Sequence, residues 1–192
     1  MKVARIRSSL AFLTVLTLLS GCSFLGLGPR VYHRWVTEDE AARALSYAMT
    51  QLGAPYLWGG RRPPAFDSSG IITWSYRQVI PDIEFQIGPN QTADDAPHRY
   101  IYKYNFEPLP LEQLMPGDLV YITNGSAEVT HGAMFVDWVD PYEVMRFLDA
   151  SSRIDPNTGK EIGVTIQEWP VHEEVRGQWL VAVGRLKVAR RR

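Results

Sequence analysis

The stretch Gly53-Ala54-Pro55-Tyr56-Leu57-Trp58-Gly59-Gly60-Arg61-Arg62-Pro63-Pro64-Ala65-Phe66-Asp67-Ser68-Ser69-Gly70 crowds conformationally special residues more densely than any other part of the 192-residue chain. Gly53, Gly59 and Gly60 admit positive φ and close backbone approach, while Pro55, Pro63 and Pro64 stiffen the segment into extended and turn geometry. Asp67 is placed to cap a helix that begins with Ser68, Ser69 and Gly70, runs through Ile71, Ile72 and Val79, and is stopped by Pro81. Ser68 then sits where the unpaired N–H groups of a first helical turn converge, a position suited to a nucleophile. The stretch reads as an active-site loop.

On its N-terminal side, Thr37 and Glu40 form a capping-box pattern, and Ala41, Leu45, Ala48, Met49 and Leu52 fall on one face of a helix that Gly53 can close. On its C-terminal side, residues 81–110 carry Pro81, Pro89, Pro97, Pro108 and Pro110 and read as a long irregular loop. Within it Tyr100, Tyr102, Tyr104 and Phe106 alternate, so an extended segment would show these rings on one face, either walling a substrate groove or packing on the domain. Pro116-Gly117-Asp118 leads into a strand over 119–122, and a turn at Asn124 and Gly125 precedes a second strand opened by His131. Further strands are expected over 144–148 ending at Asp149, over 164–167 and over 180–186. Helices first and strands afterwards give an α+β domain over 37–187, with N-terminal helices packed on an antiparallel sheet of about five strands.

Pro55-Tyr56-Leu57-Trp58-Gly59-Gly60 followed by Phe66-Asp67-Ser68-Ser69-Gly70 resembles the signature of the NlpC family of papain-like bacterial cell-wall peptidases, Pro-Tyr-x-Trp-Gly-Gly and then Phe-Asp-Cys-Ser-Gly. The resemblance implies a papain-like fold in which a nucleophile at a helix N-terminus faces a histidine on the adjoining sheet, itself oriented by a polar residue on the next strand. The matching positions are Ser68, His131 and Asp149, with Tyr56 beside the nucleophile to bind or polarise the scissile carbonyl. Asp67, Ser69, Arg61, Tyr100 and Tyr102 are expected on the substrate side; Arg61 and Arg62 either pair with substrate carboxylates or, the reading that exposed arginines favour, only solvate the surface. The chain departs from the family at three places: Ser68 stands where the family has cysteine, Gly132-Ala133 follows His131 where the family usually has Val-Gly, and Asp149 replaces the commoner histidine or asparagine.

The first departure matters most. A helix N-terminus and an imidazolium can turn a thiol into a thiolate, but a serine hydroxyl needs a general base during attack. Geometry tuned for sulfur would misplace a shorter C–O bond, and positioning errors on the order of 1 Å cost about 10²-fold in rate. Loss of activity is therefore the first expectation, and Ser68→Cys should raise it. Against this, Ser68, His131 and Asp149 supply the residue types of a serine-hydrolase triad. Deliberate replacement of a cysteine is a further explanation, which the retained leader disfavours. An enzyme cleaving stem-peptide amides of peptidoglycan, commonly that between γ-D-glutamate and diaminopimelate, and a domain that only binds stem peptides or scaffolds another envelope protein both stay open.

Residues 1–21 read as a secretory leader: Lys2, Arg5 and Arg7 precede an apolar run from Leu10 to Leu19. Leu19-Ser20-Gly21-Cys22 looks like a bacterial lipobox, which implies lipid attachment to Cys22, the only cysteine. Ser23 after it, rather than aspartate, suggests the periplasmic side of the outer membrane, although a Gram-positive host stays open. Residues 22–36 are expected to form a lipidated tether and 188–192 a solvated basic tail. A net charge of −1 and a pI near 6.4 give no argument for nucleic acid. His33, His98, His131 and His172 show no paired ligand spacing, so neither a metal nor a cofactor is expected.

Overall fold

The computed structural model describes residues 31–125, 129 and 131–191; the expected leader and Cys22 lie outside the described residues. In chain order the elements are β1 (Val31–Trp35), α1 (Glu38–Met49), β2 (Arg61–Arg62), β3 (Ala65–Phe66), α2 (Ser68–Val79), β4 (Phe85–Gly88), β5 (Gln91–Ala93), α3 (His98–Tyr104), β6 (Phe106–Pro108), β7 (Leu119–Thr123), β8 (His131–Asp140), β9 (Val144–Ile154), β10 (Glu161–Pro170) and β11 (Trp179–Arg191). The main sheet has seven strands in the order β1-β11-β7-β8-β9-β10, with β6 also on β11, and every pair is antiparallel. The α+β architecture matches the expectation.

The helix starts follow the sequence signals. Thr37 Oγ accepts from Glu40 N at 3.2 Å while Glu40 Oε2 accepts from Thr37 N at 2.9 Å, a complete capping box. Ala41, Ala44, Leu45 and Ala48 are buried, whereas Leu52 lies beyond the helix and is 48% exposed. Helix α2 begins at Ser68 under an Asp67 cap and ends at Val79, before Pro81.

Strand β7 is buried on both faces. Leu119 and Tyr121 join the core beneath α1 and α2, while Val120 and Ile122 join a second core on the opposite face with Phe135, Phe147 and Trp169. Each fully buried large aliphatic contributes about 1.5–3 kcal/mol, so the alternation holds β7 rigidly. Ile122 pairs with His131, and that register fixes where the histidine begins β8. The lead-in to β7 is tied from two sides. Tyr76 donates its hydroxyl to Gly117 O at 2.8 Å, and Asp118, with no exposed surface, accepts from Arg185 Nε and Nη2 at 2.9 and 3.0 Å. Removing one partner of such a pair leaves a buried charge, a loss of about 3–5 kcal/mol.

Several expectations are corrected. The sheet has seven strands rather than about five, because β1 and β6 both add to β11. Val31 pairs with Arg191 and Trp35 with Lys187, so part of the expected tether and of the expected basic tail is sheet. Backbone pairing is indifferent to the terminal arginines, and Val188 and Ala189 are buried. Residues 81–110 hold a β4–β5 hairpin, α3 and β6 rather than an irregular loop. Buried Asn105 stitches them: it accepts from Gln86 N and donates to Gln86 O and Tyr100 O, at 2.8, 2.8 and 3.0 Å. The aromatic alternation hides a helical spacing, since Tyr100 stacks on Tyr104 within α3, while Tyr102 stacks on Phe106 of β6. Asp149 does not end its strand; β9 continues to Ile154.

Candidate active site

Asp67 organises the loop. Its carboxylate accepts from Gly70 N at 2.6 Å, Gly59 N at 3.0 Å, Ser69 Oγ at 2.9 Å and Arg61 Nη1 at 3.2 Å. Arg61 also donates to Ser69 Oγ at 2.5 Å and meets Asp95 at 3.0 Å. Asp67, Ser69 and Arg61 border the groove, but they are engaged with one another, and the Asp67 and Asp95 carboxylates both meet Arg61. Gly70 lies against the Gly60 carbonyl, where a Cβ would collide, so the loop and the helix start are pressed together.

Ser68, the half-buried first residue of α2, lies between two openings. One, of about 410 Å³, is also lined by Tyr56, Trp58, His131, Asp149, Gln167, Arg153 and Arg176. The other, of about 230 Å³, is lined by Tyr56, Trp58, Arg61, Asp67, Ser69, His98 and Arg99. Trp58, 86% exposed, stands at the rim of both. Across the first opening, His131 Nε2 meets Asp149 Oδ2 at 2.7 Å. A carboxylate only accepts, so Nε2 carries a proton, and in the neutral ring Nδ1 holds the lone pair. Gln167, for which the sequence carries no signal beyond the end of an expected strand, donates to both oxygens of buried Asp149 at 2.8 and 2.9 Å.

The expected contact between Ser68 and His131 is replaced. Among the described residues no hydrogen bond joins them; Ser68 Oγ lies instead 2.9 Å from Nε2 of His98, at the start of α3. His98 is buried, and its ring occupies a slot against Gly132 and Tyr121: a Cβ on Gly132 would lie 2.6 Å from His98 Cε1. The one legible signal for His98 was therefore Gly132 itself, the departure after His131. Burial, reinforced by His131 and Arg61, lowers the His98 pKa to about 3. Tyr100 and Tyr102 line neither opening and pack on the helix-side core. The segment 81–110 does border the site, but through Pro97, His98 and Arg99.

Tyr56 lines both openings, and burial, then Asp67 and Glu161, raise its pKa, so it remains a neutral hydroxyl able to donate. Burial and Arg176 lower the Arg153 pKa, with Asp149 opposing. Two cations thus face the groove near one another, and neither makes an ion pair within the described residues. Among the described residues no three His, Cys, Asp or Glu side chains are grouped to hold a metal ion.

The model of the NlpC/P60 family matches residues 53–175. A murein DD-endopeptidase of Escherichia coli is 27% identical over 69% of this chain and 42% of its own length. A probable endopeptidase of Mycobacterium tuberculosis is 29% identical over 46% of this chain and 19% of its own length, so the chain spans less than half of these relatives. Among solved structures, NlpC1 from Trichomonas vaginalis has a TM-score of 0.52 at 18% identity, covering 77% of this chain and 44% of that one. A Staphylococcus aureus protein described as similar to a lipoprotein of the NLP/P60 family has a TM-score of 0.50 at 20% identity, covering 88% and 47%. These likenesses show the papain-like fold.

The buried His98 has a pH consequence. Its folded pKa lies below the ordinary value of 6.5, at about 3. The unfolded chain therefore binds this proton first, and stability falls as the pH drops below about 6.5. Thermal melts from about pH 7 to pH 4 should show a steeper loss for the wild type than for His98→Gln; parallel losses would contradict a buried neutral ring.

Proposed function

The chain belongs to the NlpC/P60 family, and we propose that it is a lipid-anchored envelope hydrolase that cleaves amide bonds of peptidoglycan stem peptides with Ser68 as nucleophile. The observation that carries this reading is the His131–Asp149–Gln167 chain, which holds an imidazole with its basic Nδ1 available to a groove that Ser68 also lines. In this mechanism His131 takes the hydroxyl proton, Asp149 stabilises the imidazolium, and Gln167 fixes the carboxylate. Neutral Tyr56 and the N–H groups at the start of α2 face the charge that develops on the carbonyl oxygen.

The substrate class is supported by relatives named endopeptidases, one of them for murein, and by the cations in the groove. A stem peptide brings free carboxylates. Arg153 and Arg176 are the groups proposed to receive one, since a carboxylate between them relieves their mutual repulsion, whereas Arg61 is already neutralised. The domain is proposed to include 31–36 and 188–191, whose strands close the sheet edge. Lipidated Cys22 is proposed to hold it on the periplasmic side of the outer membrane, where an envelope protein partner is also accessible.

One observation favours the reading in which the groove binds stem peptides without cleaving them: the Ser68 hydroxyl bonds to His98 and not to His131. Digestion of purified sacculi, with products read by mass spectrometry, separates the two. The wild type should release new stem-peptide fragments, and Ser68→Ala should reduce release by at least about 10³-fold. Sacculus binding without release would establish the binding reading instead. For the anchor, cells fed a fatty-acid analogue should label the wild type and not Cys22→Ala; equal labelling rejects lipidation.

A further inference from the structure

His98 makes its ring hydrogen bond to the proposed nucleophile alone. Nε2 is 2.9 Å from Ser68 Oγ, and Nδ1 is buried with no hydrogen-bond partner among the described residues. Two tautomers of the neutral ring are compatible with that distance, and they have opposite consequences for Ser68. With the proton on Nδ1, the ring accepts from the serine hydroxyl and buries an N–H that nothing receives, a rare and costly arrangement.

The surroundings of Nδ1 decide between them. A Cβ on Gly132 would lie 2.6 Å from Cε1 and 2.7 Å from Nδ1, so the glycine backbone closes over the Cε1–Nδ1 edge of the ring, and Nδ1 finds no hydrogen-bond partner among the described residues. A buried N–H left unpaired is rarer and costlier than a lone pair left unpaired in the same place. The proton belongs on Nε2, and Nδ1 faces the glycine as a lone pair. His98 is therefore the donor to Ser68.

We propose that His98 is a catalytic residue that donates its Nε2–H to Ser68 Oγ, turning the hydroxyl proton toward His131 and stabilising the charge that builds on Oγ during attack. This rests on the reading of Ser68 as nucleophile. As Oγ bonds to the carbonyl carbon, its proton passes to His131 Nδ1 and the carbonyl electron pair moves onto oxygen. Collapse of that adduct breaks the C–N bond, and the leaving amine takes the proton from His131. Water then gives a proton to His131 and its oxygen to the acyl carbon, and the proton returns to Ser68 Oγ as the ester breaks. His98 keeps its own proton throughout. Burial, His131 and Arg61 all oppose a second proton on His98, so it does not compete with His131 as base.

The device answers the difference between oxygen and sulfur. A helix N-terminus and an imidazolium can hold a thiolate, but a serine oxygen develops its charge only in the transition state and gains from a donor aimed at it. Gly132 supplies the space for that donor.

Nitrogen-15 correlation spectra of the histidine-labelled full chain test the hydrogen bond directly, with His98 assigned by its absence in His98→Gln. The expected spectrum shows the Nε2–H tautomer, unchanged from about pH 8 to about pH 5. An Nδ1–H tautomer, or titration in that range, overturns the proposal. The second readout is the rate at which Ser68 is phosphonylated by a fluorophosphonate, measured on variants whose melts show a folded domain. His98→Leu should slow the reaction by about 10²-fold, and His98→Gln, which retains an N–H donor, should recover much of it. A folded His98→Leu reacting at the wild-type rate overturns the catalytic role. If the wild type itself does not react while His98 shows the Nε2–H tautomer, the failure lies in Ser68 as nucleophile, and the catalytic role of His98 falls with it.

Discussion

The site depends on one carboxylate. Asp67 gathers the N–H groups of Gly59 and Gly70, the hydroxyl of Ser69 and the guanidinium of Arg61, and so ties the glycine-rich loop to the first turn of α2. Ser68 is the next residue, and its position follows from that clasp. Hydrogen bonds to a charged acceptor contribute about 1.5–3 kcal/mol each, so the loop is held far more firmly than its glycines and prolines would hold it alone. The contact of Gly70 with Gly60 leaves no room for a side chain between the loop and the helix start.

The other half of the site comes from the sheet. Strand β7, buried on both faces, sets the register that begins β8 at His131, while β9 and β10 bring Asp149 and Gln167 beneath it. The loop clasp and the sheet register are independent constraints. They meet at the groove that Ser68 and His131 both line.

What was legible in the sequence was local. The caps at Thr37 and Asp67, the stop at Pro81 and the opening of β8 at His131 each rest on residues within a few positions of one another. What was not legible depended on distant pairing. Strand β1 exists because β11 offers it an edge, and α3 was hidden because a spacing of four also reads as two steps of two. Arg61 looked free to meet substrate until Asp95, far along the chain, took up its charge. His98 was passed over because a histidine after a proline in a supposed loop carries no pattern, although Gly132 marked the space its ring fills.

His98 also changes what serine means here. Read from the family alone, Ser68 is a defect that cysteine would repair. With His98 2.9 Å from Oγ and backed by Gly132 and Tyr121, we propose that the position suits oxygen and that a larger sulfur on a longer bond would press against the ring. The most direct measurement is the rate of stem-peptide cleavage by the wild type and by Ser68→Cys at one pH. The account predicts that the cysteine variant is slower, by at least about 10-fold. A cysteine variant faster by about 10²-fold would contradict it and restore the view of Ser68 as a lost cysteine.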